Sequence, residues 1–284
     1  MFNAAIRLRL APIAILTSLA LLTSCSGSAD KDKARGLLDA ATQAFDRGDY
    51  SSALSLADSL KRTYPDQIDI RREALHITTR ATEGLTLRRL ETADSILAVL
   101  GVKGDSLQKF IRYVKNPIEG YYVGINAKDG GIVGSNGLQA RLNPDGSFYL
   151  ISSLKARPVK STSVTVTCNE ASASTSAIPH DGERNDRSMG AEIITYIGAE
   201  CDSLGHFIML HRSQPMTLTF NGSSTYSMPL PQSQIQEIAT LYEYSTIMRQ
   251  AKVAALEKEK LTRALDIARA QAAKTFVEKT DDEK

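Results

Sequence analysis

The chain has 284 residues, with 34 Lys and Arg against 32 Asp and Glu, three Cys and no Trp. That balance excludes the basic surface a nucleic-acid partner requires and the bulk charge that captures acidic polymers. The length suffices for one or two domains.

The first residues divide into three parts. Arg7 and Arg9 supply positive charge, and no acid occurs before Asp30. Leu10 to Leu22 is apolar apart from Pro12, Thr17 and Ser18. It is too short to span a bilayer, which takes ~20 apolar residues, and has the length of a signal-peptide core. It closes on Leu22-Thr23-Ser24-Cys25, which resembles the bacterial lipobox. The resemblance implies that residues 1–24 are a removed signal peptide and that the Cys25 thiol carries diacylglycerol, with the new amino group acylated. This covalent lipid is the only cofactor-like group expected. One acyl chain holds marginally, at ~0.8 kcal/mol per buried CH₂, and two or more hold firmly. Loss of Arg7 and Arg9 with the leader leaves 32 basic against 32 acidic residues.

Ser26 stands where, by the same resemblance, an Asp would retain a lipoprotein in the inner membrane. The expected location is therefore the outer membrane. Asp30 and Asp32 alternate with Lys31 and Lys33, so the acidic cluster that, by resemblance, sends some lipoproteins of Gram-negative gut anaerobes to the surface is weak here. The periplasmic face is favoured over the cell surface.

Residues 25–33 read as a polar tether and residues 34–117 as a helical region. Helical spacing joins Leu37, Leu38, Ala41, Ala44 and Phe45; "DRGDY" breaks it, and Ala53, Leu54, Leu56, Ala57 and Leu60 resume it up to Pro65. The 34–65 segment resembles one tetratricopeptide repeat at Gly48, Tyr50, Ala53 and Pro65. It departs from the pattern at Ala57 and Leu60, and no second copy follows. A stable solenoid needs about three repeats, so a single helical hairpin is expected. Residues 67–100 predict one long helix on Ile70, Ala74, Ile77, Ala81 and then Leu90, Ala93, Leu97, Leu100, with a phase slip near Gly84. Gly101 and Gly104 are expected to end it. A short helix with Leu107, Phe110, Ile111 and Val114 would then run to Pro117.

Over 118–230 the period changes to two. The runs "EGYYVGIN", "LQARL", "SFYLISSL", "STSVTVTC", "AEIITYIG", "HFIMLHR", "MTLTF" and "TYSMPL" predict about eight strands. "NPDG" (Asn143–Gly146) reads as a tight turn. An antiparallel β-sandwich or barrel follows, and the fold class is α+β. Cys168 and Cys201 are either a disulfide in an oxidising envelope or two buried thiols, since Cys168 continues the alternation of Val164 and Val166.

From 231 to 280 a long C-terminal helix is predicted. Tyr244, Ile247, Ala251, Ala254, Lys258, Leu261, Leu265, Ala268, Ala272 and Thr275 keep 3-4 spacing, with no Gly or Pro. A helix of ~45 residues is ~68 Å long, whereas the β-domain has a radius of gyration of only ~13 Å. The helix must pack back on the N-terminal helices, reach another chain, or both. Ile247, Ala251, Ala254, Leu261, Leu265, Ala268 and Ala272 are the candidate partner contacts.

No catalytic constellation is legible. His206 and His211 would fall on opposite faces of a strand, His76 lies at a helix margin, and "HDGERND" after His180 reads as a solvated hairpin loop. "KDGGIVGSNG" lacks the Gly-Lys-Ser/Thr ending of a phosphate loop. No metal site or enzyme activity is expected. Tyr121, Tyr122, Tyr149, Tyr196 and Tyr226 are candidate sugar platforms, or core-edge residues. "GLQARLNPDGSFYLISSL", "GHFIMLHRSQPMTLTF" and "IATLYEYSTIM" resemble lipoproteins of Gram-negative gut anaerobes that have no assigned activity. The expected role is a structural or adaptor protein that holds a protein partner, or self-associates, at the membrane. The alternative is a cell-surface protein that captures a glycan or other ligand.

Overall fold

The computed structural model describes the backbone of residues 26–281 except 118, 129, 130, 188 and 189, and within that span the side chains of residues 28–275. The lipobox and Cys25 lie outside the described residues. Residues up to Leu87, together with those from Ala264 onward, form one compact unit; Arg88–Arg263 form another. The architecture is α+β, with five α-helices and two antiparallel sheets of six and four strands among the described residues.

The first unit is helical. It contains α1 (Ser26–Asp46), α2 (Tyr50–Thr63), the first half of α3 (Ile68–Gln108) and the end of α5 (Gln232–Asp281). The α1–α2 turn forms because Gly48 adopts φ +72°, which lets its N–H and that of Asp49 close on Phe45 and Ala44 carbonyls. The Asp49 carboxylate then accepts the Ser52 N–H at 3.1 Å and caps α2. Ala34, Leu38, Ala41, Ala53, Ala57 and Leu60 are buried, so small side chains bring the hairpin together against Ile70, Ala74 and Ala81 of α3. The hairpin is as expected, but residues 26–33 are not a tether: they are the first turns of α1. Ala29, Lys31 and Lys33 are good helix formers and extend a helix already nucleated by the buried Ala34 and Leu38.

α3 also differs from expectation. It runs through Gly101 and Gly104 to Gln108. Glycine costs a helix about 1 kcal/mol, but a Cβ at Gly104 would stand only 3.8 Å from Ile247 and Tyr244 of α5, and packing there offsets the loss. The phase slip at Gly84 has its own cause. The Tyr50 ring lies so close that a Cβ on Gly84 would be 2.4 Å from its Cζ.

The second unit holds the sheets. Its six-stranded sheet has the order β1 (Ile111–Val114), β2 (Tyr121–Gly124), β3 (Gly137–Leu142), β4 (Phe148–Leu154), β8 (Glu192–Ile197), β7 (Asn185–Asp186). Its four-stranded sheet has the order β10 (Thr225–Leu230), β9 (Met216–Asn221), β5 (Ser163–Cys168), β6 (Ala171–Ser174). Ile111–Val114, expected to be helical, is the edge strand β1 and pairs with β2. Its β-branched and aromatic residues favour a strand. The Asn143–Gly146 turn joins β3 and β4 as predicted, with the Gly146 N–H on the Asn143 carbonyl at 3.0 Å.

The inner faces of the two sheets share one core: Leu138, Leu142, Leu150 and Ile194 from one, Val164, Val166, Leu218 and Phe220 from the other. This is the packing of a sandwich, closed by two helices. The "HFIML" part of the "HFIMLHR" run belongs to helix α4 (Asp202–Leu210) and not to a strand. Leu204 and Ile208, one turn apart, are both fully buried in the core; the four apolar residues of the run fitted either period. α5 supplies Ile235, Ile238, Leu241 and Tyr242. Glu192, 5 % exposed, ties the sheets together, accepting the N–H groups of Lys160 at 2.8 Å and Ser161 at 2.9 Å ahead of β5.

"HDGERND" is more structural than a solvated loop. Asn185 is buried in β7 and donates to the Ser161 carbonyl at 2.9 Å. Arg184 forks onto both Glu200 oxygens, one at 2.7 Å. The Arg184 guanidinium and the Ile197 N–H hold the Glu200 carboxyl below its ordinary range against a raising effect of burial. A carboxyl with a depressed folded-state pKa contributes stability that is complete above its unfolded value and lost as pH falls through the folded one. Both side chains are partly exposed, which limits the contribution to about 0.5–1 kcal/mol.

Two outcomes follow. Gly84→Ala lowers stability by about 1–3 kcal/mol in urea unfolding, because overpacking against Tyr50 outweighs the propensity gain of up to ~1 kcal/mol. Glu200→Gln lowers the melting temperature at neutral pH, and its difference from the wild type shrinks once pH drops below the carboxylate range.

Candidate functional site

α5 lies antiparallel beside α3 in each unit. In the helical unit Thr275 Oγ1 is 3.2 Å from Thr79 Oγ1, and Arg269 Nε donates to Glu83 Oε1 at 3.2 Å. In the sheet-bearing unit Lys258 Nζ is 2.6 Å from Asp94 Oδ1, and Gln108 Nε2 donates to Tyr244 Oη at 2.9 Å. Antiparallel packing of this kind places the 3-4 seam of α5 against the chain's own helix. Ile247, Ala254, Leu261, Leu265 and Ala268 are 2–9 % exposed, and Ala251 and Ala272 are half-buried. Most of the residues expected to touch a partner are therefore taken up within the chain, while Ala254 and Leu261 also line the open groove described next. α3 meets them with Thr79, Thr86, Ala93 and Leu100, all buried.

What the helix pair leaves open is the flank of this seam. Within the sheet-bearing unit, Ala93 and Ile96 of α3 and Val253, Ala254 and Leu261 of α5 line an apolar groove of about 600 Å³. Ile96 is 46 % exposed and Val253 67 %. Arg89 and Glu257 stand on its rim. Val99 and Leu256 are exposed on the same helices. Exposed apolar surface of this kind makes the groove a candidate interaction site. Sequence reasoning missed it because Val253 and Leu256 fall off the 3-4 seam.

The remaining candidates do not assemble into chemistry. Cys168 and Cys201 are both free and buried, so they are thiols and not a disulfide. Cys168 Sγ donates to Gln214 Oε1 at 2.8 Å, and burial pushes the Cys201 thiol up to about 12, which suppresses the reactive thiolate. His206 and His211 bracket one turn of α4, each beside an aromatic ring, Tyr242 and Phe207. Among the described residues no three His, Cys, Asp or Glu side chains gather as a metal site, and no helix is long and apolar enough to cross a membrane. Tyr196 is fully buried, and its phenol is pushed up to about 12 by burial. Tyr121, Tyr122, Tyr149 and Tyr226 are half-buried, with Arg141 over the Tyr121 ring at 4.2 Å. None is an open platform. Within the "KDGGIVGSNG" run, residues 131–136 form turns and bends and seat Ile132 on a small cluster with Ile151 and Ile193.

Compared with family models, with curated proteins and with solved structures, the chain finds no match.

Substitutions separate the buried seam from the open flank. Leu265→Ala costs about 2–5 kcal/mol in denaturant unfolding, from lost burial and a cavity. Val253→Ser changes stability by no more than about 0.5 kcal/mol, as exposed positions do.

Proposed function

We propose that this protein is a lipid-anchored outer-membrane lipoprotein with a non-catalytic structural or adaptor role, holding a protein partner at the membrane on its periplasmic face. The observation that carries the reading is the apolar groove on the α3–α5 pair, exposed at Ile96 and Val253. A groove between two helices suits a third. An amphipathic helix of the partner lays its apolar stripe along such a groove, and Arg89, exposed at the rim, favours an acidic residue on that helix. The anchor reading rests on the Leu22-Thr23-Ser24-Cys25 sequence alone. An α1 that begins next to the acylated residue would hold the folded units close to the bilayer.

The test uses the full chain in its own membranes. A photocrosslinker at Val253 is expected to give one adduct of defined mass, lost on Ile96→Glu and absent for a crosslinker at Ser227, which is exposed on β10. No adduct from Val253, or one indifferent to Ile96→Glu, overturns the adaptor reading. Cys25→Ala is expected to accumulate precursor; normal processing overturns the lipid anchor.

A further inference from the structure

Glu237 sits in the second turn of α5 and lines two adjoining cavities, of about 210 and 550 Å³, which also share Asn126 and Ser233. Its carboxylate has no hydrogen-bond or ion-pair partner among the described residues. Burial raises its pKa, with the charge of Arg112 acting against that. Arg112 donates to the Ala127 carbonyl at 2.7 Å. The Glu237 side chain is seated against Gly124, where a Cβ would stand 2.6 Å from its Cγ. A half-buried carboxylate without a partner is costly, and such groups in a cleft are functional-site candidates.

The smaller cavity carries the opposite chemistry on its other wall. Asn136, Gln139 and Gln234 line it, and each has its amide oxygen engaged. Asn136 Oδ1 accepts the N–H groups of Lys155 and Ala156 at 2.7 and 3.1 Å. Gln139 Oε1 accepts from the Arg141 guanidinium at 3.3 Å. Gln234 Oε1 accepts the Leu138 N–H at 2.9 Å. Backbone N–H and guanidinium groups only donate, so the amide orientations are fixed by their partners. What remains for the cavity is three NH₂ donors. Gly137 makes the Gln234 clamp possible: it has φ +137°, and a Cβ there would lie 2.3 Å from Gln234 Oε1.

Among the described residues the cavity thus offers one carboxylate, Glu237, and facing it three neutral amide donors together with the Lys128 ammonium. We propose that it binds a small zwitterion of amino-acid size, the ammonium group on Glu237 and the carboxylate on the Asn136, Gln139 and Gln234 amides. The 210 Å³ volume limits the ligand to about one residue. An ammonium group supplies the partner that Glu237 lacks, as a charge-assisted hydrogen bond. A neutral sugar would leave that charge unpaired.

The purified full chain is titrated calorimetrically with L- and D-amino acids, with lactate and propionate as compounds lacking the amine, and with glucose. Saturable binding is expected for one or more amino acids, at least tenfold tighter than for the other probes. Glu237→Gln keeps the shape, removes the charge, leaves the melting temperature unchanged or higher, and weakens amino-acid binding at least tenfold. Gln139→Met weakens it from the carboxylate side. No saturable heat from any amino acid, equal affinity in Glu237→Gln, or equally tight binding of glucose or lactate overturns the proposal. None of these readouts depends on the groove at Val253, so this site and the adaptor reading stand or fall separately.

Discussion

A helix of 50 residues is about 75 Å long at 1.5 Å per residue, and the apolar side chains of α5 need cover along that length. No single domain of this size can provide it. α5 is covered piecewise. Its first turns, with Ile235, Ile238, Leu241 and Tyr242, complete the core between the two sheets. Beyond them Ile247, Ala254 and Leu261, and in the helical unit Leu265 and Ala268, are buried as α5 runs beside α3. The features of both units follow from this. α3 must be long to match α5, so it continues through Gly101 and Gly104. The hairpin of α1 and α2 must pack on α3 with small residues, so Gly84 yields to Tyr50.

The same constraint decides where surface is left over. Two helices side by side bury one seam each and leave a furrow beside it, and aliphatic residues at Ile96 and Val253 make that furrow apolar. The α5 start has a different economy. Its amides are engaged: Gln234 accepts the Leu138 N–H at the start of β3, and Gln232 and Gln236 donate to the Arg212 carbonyl. Glu237 stays uncommitted among them.

Much of the fold was legible because periodicity reports burial directly. The α1–α2 hairpin, seven of the eight expected strands and the extent of α5 all follow from spacing. The misses have physical causes. "HFIML" is too short for period to separate helix from strand, and only its position over the sandwich makes Leu204 and Ile208 the buried pair. β6 and β7, "ASAS" and "ND", carry no apolar signal and exist as edge strands because β5 and β8 offer them ladders. Gly101 and Gly104 looked like stops, and the contact that favours continuation, Gly104 against Ile247, is far away in sequence. Glu237, inside "SQIQEIATL", reads as an ordinary solvated helix residue; only Gly124 and the loop before β3 bring it indoors.

The sequence by itself determined the α+β class and the existence of an apolar seam on α5, because each is written in local composition or period. What covers that seam was a tertiary decision. The matching face of α3 is built from Thr79, Thr86, Ala93 and Leu100, residues too weakly or irregularly apolar to announce a partner helix. Likewise the fate of Cys168 and Cys201 as separate buried thiols, the groove at Val253 and the bare carboxylate of Glu237 depend on which distant segments arrive beside them. Spacing along one chain segment records how that segment is wetted or buried; it holds no record of the neighbour.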